Sequence, residues 1–185
     1  MAIFLILIGI TIRLINHFDY LPIVAAISQY IPHWANFTPI AAIALFGSVY
    51  LNKKYALILP ILAMFISDLF IGFYNPWVMA SVYASFLLIA LAGLWLRKHK
   101  NLGNILGASL MGSIAFFIIT NFAVWAIPHS IYPHTLQGLL NSYTMGLPFF
   151  RNTLLGDLFY TTLFFGVYEL VYFIKSKSHH NLALK

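Results

Sequence analysis

The chain has 185 residues, of which 62% are hydrophobic, 17% aromatic and 8% charged, against roughly 45–50% apolar in a soluble domain. Ten basic and four acidic side chains cannot cover the surface of a water-soluble fold of this length, whereas hydrocarbon solvates apolar side chains directly, so a soluble globule is excluded. The net charge of +6 lies at the ends of apolar runs, not in one patch, which excludes nucleic acid as a partner; with no cysteine, disulfides and thiolate metal sites are excluded too.

Six apolar segments follow in order: residues 1–18, 39–51, 55–73, 77–96, 104–127 and 153–174. About 20 helical residues cross a hydrocarbon layer of about 30 Å, so four of the six qualify outright. The first ends in Arg13, Asn16 and His17 but is not preceded by the basic residues of a signal peptide, and it counts as a span. The second has 13 residues on this reading and is too short to cross. Its N-terminus is therefore expected below the outer surface, with free N–H groups and the positive end of the helix dipole facing a cavity.

Lys53 and Lys54, then Arg97, Lys98 and Lys100, then Lys175, Lys177 and Lys185 occupy alternate connections. The positive-inside rule places these on the cytoplasmic side together with both termini. The outer connections, 19–38, 74–76 and 128–152, hold Trp34, His33, His129, His134 and most of the prolines. Thr38 before Pro39 and Asn75 before Pro76 read as capping residues followed by proline at the first helical position, and Pro128 closes the fifth span. Residues 22–30 and 133–143 read as short helices along the interface. Gly103 with Gly107, Ala108 with Gly112, and Ala80 with Ala84 are small residues four apart that let helices approach closely in lipid.

Asp68, Asp157, Arg13 and Arg151 fall at similar depth near the outer ends of their spans. Ionised groups in hydrocarbon cost several kcal/mol, about 2.5–3.5 on insertion scales, so four at one level imply pairing or a watery recess. Headgroup contact for the arginines and structural pairing for the aspartates is the alternative. Asn121, Trp125 and His129 repeat at spacing four along the end of the fifth span. The tryptophans suit the aromatic belt of a membrane surface as well as the wall of a small-molecule site. His33, His129 and His134 are read as loop histidines, and no metal site is assigned.

The run NFTPIAAIALFG at 36–47, then KKYALILP at 53–60 and SD at 67–68, resembles the second and third helices of substrate-binding S components of energy-coupling-factor vitamin transporters. The resemblance implies six helices with both ends inside, and one vitamin at the outer face under the loops joining helices one to two and five to six. It also implies a transmembrane coupling subunit with ATPase subunits as partner. TNFAVW at 120–125 and LPFFRNTLLGD at 147–157 look like a family of small bacterial membrane proteins without an assigned substrate. The Ala-x-x-x-Ala docking face common on helix one of S components is missing here, Gly9 being the only small residue in its middle. The cysteine with which some cobalamin S components hold cobalt is missing as well.

The sequence thus predicts an all-α integral membrane protein, a six-transmembrane-helix bundle of S-component type, with one domain over 1–175 and a polar cytoplasmic tail over 176–185. It is expected in a bacterial cytoplasmic membrane as the binding subunit for uptake of a small vitamin-like or heterocyclic nutrient, with lipid around it and no cofactor. Trp34, Asn36, Asp68, Asn121, Trp125, Arg151 and Asp157 are its candidate site: aromatics to stack, amides to hydrogen-bond and charges to orient. The alternatives are an accessory subunit of a larger membrane complex and an intramembrane enzyme using Asp68 and Asp157. For the latter, Leu154 stands where a Gly-x-Gly-Asp protease has glycine.

Overall fold

In the computed structural model, which describes residues 1–17 and 36–183, the last six by backbone only, six α-helices follow in chain order. They are α1 (Ala2–His17), α2 (Ile40–Tyr50), α3 (Lys53–Ile71), α4 (Pro76–Leu96), α5 (Leu102–Ala126) and α6 (Leu136–Ala183). There is no strand among the described residues. Three helices start on an asparagine whose Oδ1 accepts backbone N–H groups that have no carbonyl partner inside the helix. Asn52 takes Lys54 N–H at 3.2 Å, Asn75 takes those of Trp77 and Val78 at 3.0 and 3.4 Å, and Asn101 takes that of Asn104 at 2.8 Å.

Helix α2 starts differently from the sequence expectation. Pro39 is itself the residue before the helix, no side chain caps the first turn, and Thr38 lines a cavity instead. With 11 residues α2 is roughly 16 Å long, and every residue from Ile40 to Val49 is buried. A helix apolar all round belongs in the middle of a bundle, and α2 is packed by α1, α3, α4, α5 and α6. Its alanines and Gly47 keep the rod thin. Phe46 adds the largest contact, with the rings of Tyr50, Phe164, Phe165 and Tyr168 at 4.8–5.9 Å.

At its far end the carbonyls of α2 are met by Arg97. The guanidinium donates to Ser48 O from Nε at 3.0 Å and from Nη2 at 2.6 Å, and Nη2 also reaches Leu51 O. A cation on unpaired C-terminal carbonyls is favourable both as hydrogen bonding and against the helix dipole. Beside it, Lys100 pairs with Glu169 of α6 at 2.5 Å, and the Tyr50 hydroxyl donates to the same carboxylate. One end of the bundle is therefore tied by polar contacts between α2, the α4–α5 connection and α6.

Helices α3 to α6 are each long and apolar enough to cross a membrane; α1, with 16 residues, and α2 are shorter. The stretch 133–143 expected as a separate interfacial helix is corrected: the helix that begins at Leu136 continues without interruption through Pro148 into the sixth span. Proline removes one backbone hydrogen bond, which membrane helices tolerate where neighbours hold both sides. Here Ser142 Oγ donates to Asn121 O at 2.9 Å and Tyr143 Oη to Ile118 O at 3.1 Å, fixing the segment before the proline to α5. The second short helix expected from sequence, 22–30, lies outside the described residues.

Helices α2 and α4 approach closely at Gly93, where a Cβ would stand 2.6 Å from Ser48 Cβ and 2.9 Å from the backbone oxygen of Leu45. Backbone cannot yield as a side-chain tip does, so Gly93→Ala is expected to cost about 1–3 kcal/mol through overpacking. Gly107→Ala meets nothing within 4 Å and is expected to be neutral or to stabilise by up to about 1 kcal/mol through helix propensity. Unfolding in detergent, followed by tryptophan fluorescence, compares the two; equal effects would contradict the packing described.

Candidate functional site

The opposite end of the bundle, where α2 begins, is not filled. Residues 36–39 lead into α2, with Asn36 in the left-handed region at φ 67°, a conformation asparagine adopts more readily than most residues. Thr38 N–H donates to Asn36 O at 3.0 Å, and Asn16 Nδ2 of α1 donates to Phe37 O at 2.7 Å. The segment lies flat on α6 because position 156 is glycine: a Cβ there would be 3.1 Å from Phe37 Cα and 3.3 Å from Thr38 N. The start of α2 is thereby set beside the next residue of α6, Asp157.

A cavity of about 330 Å³ borders this segment, walled by residues of α1, α3, α4, α5 and α6. Phe86 and Phe116 supply an aromatic wall, with ring centroids 5.2 Å apart. Thr38, Thr120 and Thr153 supply hydroxyls, and Arg13 and Asp157 are its charged members. A smaller cavity of about 150 Å³ shares Asn36, Phe116, Thr120 and Thr153 and extends toward Asn121 and Phe150. Thr120 and Thr153 each also donate to the backbone four residues earlier, Phe116 O at 2.8 Å and Phe149 O at 3.0 Å, so their remaining lone pairs are acceptors.

Arg13 is neutralised from behind. Its Nη2 lies 2.6 Å from Oδ1 of Asp68, a residue with no solvent exposure, while the Arg13 side chain is 16% exposed. Nη1 donates to Met64 O at 3.3 Å and to Ser67 Oγ. Tyr83 Oη of α4 donates to the other carboxylate oxygen of Asp68 at 2.6 Å. The pairing joins α1, α3 and α4, and its hydrogen bonds offset the desolvation of two ions. Tyr74, in the α3–α4 connection at the cavity edge, has its phenol pushed up to about 12 by partial burial and then by the Asp68 charge. It is a neutral hydroxyl at physiological pH.

Asp157 has a different setting. It is 3% exposed, and its Oδ2 accepts from Ser113 Oγ of α5 at 2.6 Å. Below it, Thr161 Oγ1 donates to Ser109 Oγ at 3.3 Å, continuing a buried polar seam between α5 and α6. Among the described residues the ion pairs are Arg13 with Asp68 and Lys100 with Glu169, so Asp157 has a neutral partner only.

The residues singled out from sequence therefore separate. Asn36 and Asp157 border the larger cavity, Asn36 and Asn121 the smaller one. Asp68 lies behind the wall, holding Arg13. Trp125 is turned to the α5–α6 connection, where its Nε1 donates to Pro133 O at 3.0 Å and its ring meets the edge of His134 at 5.7 Å. Arg151 is exposed on α6 and borders neither cavity. Trp34 and His33 lie outside the described residues. Ser113, Tyr83, Thr120 and Thr153 were not singled out, although Thr153, Asp157 and Thr161 repeat at spacing four and so share one helix face.

An all-helical fold with four helices long and apolar enough to cross a membrane, and a cavity holding a buried carboxylate at one end, defines a small membrane protein. Within that class the chain belongs to a family of unknown function, DUF6580, whose profile matches residues 1–181. No curated protein and no solved structure matches it.

Removing one member of a buried pair leaves the other charge uncompensated, so Arg13→Leu is expected to destabilise by about 3 kcal/mol. Arg13→Met combined with Asp68→Met is expected to cost less than either change alone. Arg151→Leu is expected to stay within about 0.5 kcal/mol, as at other surface positions. Thermal unfolding of the purified variants in one detergent reads all of these, and an Arg151 effect as large as that of Arg13 would overturn the assignment.

Proposed function

We propose that the chain is a membrane-embedded substrate-binding subunit of S-component type, which takes up a small vitamin-like or heterocyclic nutrient through the cavity at the head of α2. The observation that carries this reading is that cavity itself, about 330 Å³ of space against a carboxylate only 3% exposed. Small-molecule sites are typically about 300–1,000 Å³, largely apolar and aromatic, with a few convergent polar groups. Phe86, Phe116, Thr120, Asn36 and Asp157 supply that mixture. A structural carboxylate in an accessory subunit would be expected in a filled interior, and a catalytic carboxylate pair would share a proton. Asp68 and Asp157 have separate partners.

On this reading six spans surround the cavity, with both termini on the cytoplasmic side of a bacterial cytoplasmic membrane. The clustering of Arg97, Lys100 and Glu169 at the far end of α2 supports it, since the lysine- and arginine-bearing connections then share one face. Helix α1 runs from Met1 toward Arg13 at the cavity end, and α6 runs from Asp157 toward Lys175, so the two chain ends also point away from the cavity. Gly9 is buried, so any coupling subunit would meet α1 through its exposed residues Ile3, Phe4 and Leu7.

Native mass spectrometry of protein purified without added ligand, with thermal shifts against a vitamin panel, tests the binding role. A co-purifying small molecule or a clear shift is expected; an empty protein indifferent to every compound would remove the proposal. Because the chain has no cysteine, single-cysteine variants test topology cleanly. An impermeant maleimide is expected to label Thr135→Cys in intact cells and Lys98→Cys only after permeabilisation, and the reverse pattern would invert the orientation.

A further inference from the structure

The larger cavity has one acidic side chain for which the described residues supply no cation. Arg13 and the Asp68 behind it cancel at 2.6 Å. What remains is Asp157, 3% exposed, with a neutral hydroxyl of Ser113 at 2.6 Å as its described partner. No other Lys or Arg borders the cavity among the described residues, and Arg151, on the same helix, is exposed. Nor does the sequence hold a permanent cation in reserve: residues 18–35, which connect α1 to α2, contain no Lys or Arg, only Asp19 and His33. A carboxyl group this buried favours its protonated form unless a positive charge is brought to it, and a cation bound beside it would hold it as the anion.

We propose that the ligand of this cavity brings that charge: a small aromatic heterocycle or amidine with a cationic nitrogen, its positive end on Asp157 and its ring along Phe86 and Phe116. Three features of the wall agree. The carboxylate oxygen of Asp157 not bonded to Ser113 is available as an acceptor. The two phenylalanines offer faces to which a cation is attracted electrostatically. The hydroxyls of Thr120 and Thr153 already donate to their own helices, so toward a ligand they present acceptors, which suit N–H groups. An anionic ligand would find its one guanidinium already engaged by Asp68.

This inference rests on the cavity being a binding site, and the test separates the two. The full-length protein in detergent is titrated, by thermal shift and by native mass spectrometry, with pairs matched in shape and differing in charge. The pairs are 1-methylnicotinamide against nicotinamide and benzamidine against benzamide, with nicotinate as the anionic control. The cationic member of each pair is expected to bind at least about tenfold more tightly, the scale of one close charge pair. Asp157→Asn is expected to erase that preference, the affinity of each cationic member falling to that of its neutral partner in the same variant. Should Asp157→Asn fail to fold, the wild-type comparison alone decides. Equal or tighter binding of the neutral or anionic members, or a cation preference that survives Asp157→Asn, would refute the charge assignment and leave the binding site standing. If none of the five compounds binds and the purified protein carries no small molecule, the site and the inference fall together.

Discussion

A helix of 11 residues placed in the middle of a membrane bundle is the constraint from which the remaining features follow. At roughly 16 Å it reaches about half the hydrocarbon thickness, so at least one end must stop at depth, with backbone groups that lipid cannot satisfy. The two ends are handled in opposite ways. The carbonyls at the far end are met directly by Arg97. The N-terminal end has no side-chain cap, and the space in front of it is left as a cavity with hydroxyl, amide and carboxylate groups on its walls. Filling one end and hollowing the other gives the bundle its polarity.

The charged groups around the cavity obey the same economy. Arg13 lies in line with Leu5 and Gly9 at spacing four, the buried face of α1, so its guanidinium has to enter the interior. Asp68 and Tyr83 receive it there, and the pair locks three helices together. Asp157 is brought to the cavity by a separate device, the close seat of residues 37–38 on Gly156. The two aspartates thus have unlike settings: one is held in a structural ion pair, and the other has no cation beside it among the described residues.

Much of this was legible in the sequence because it depends on composition and local chemistry. The membrane class, most helix boundaries, the Asn75 cap before α4 and the shortness of α2 follow from hydropathy and from residues adjacent in the chain, whereas the expected Thr38 cap is not formed and the Asn52 and Asn101 caps were not read. The placing of Arg13 and Asp157 toward the same end of the bundle was legible as well, and both border the larger cavity. Partnership was less so. Arg151 and Asp157 are close in sequence, but six residues turn a helix by roughly 240°, which sends one outward and the other inward. That rotation was available from spacing alone, as was the shared face of Thr153 and Asp157. The continuity of α6 through Pro148 was not, because the contacts of Ser142 and Tyr143 with α5 override the local preference of proline.

The contrast between the two aspartates also bears on which substitutions such a bundle tolerates. Asp68 with Arg13 is a closed electrostatic unit, and in principle an apolar pair of similar volume fills the same space at little cost. Asp157 is not part of such a pair among the described residues. Its carboxylate is buried against Ser113 while Ser109 and Thr161 continue the polar seam beneath it, an arrangement that holds the side chain in place without neutralising it. A carboxyl group buried in this way without a cation costs stability when it ionises, and protonation relieves that cost. The side chain is thus fixed at the cavity wall by neighbours that share its hydrogen bonds and carry no charge.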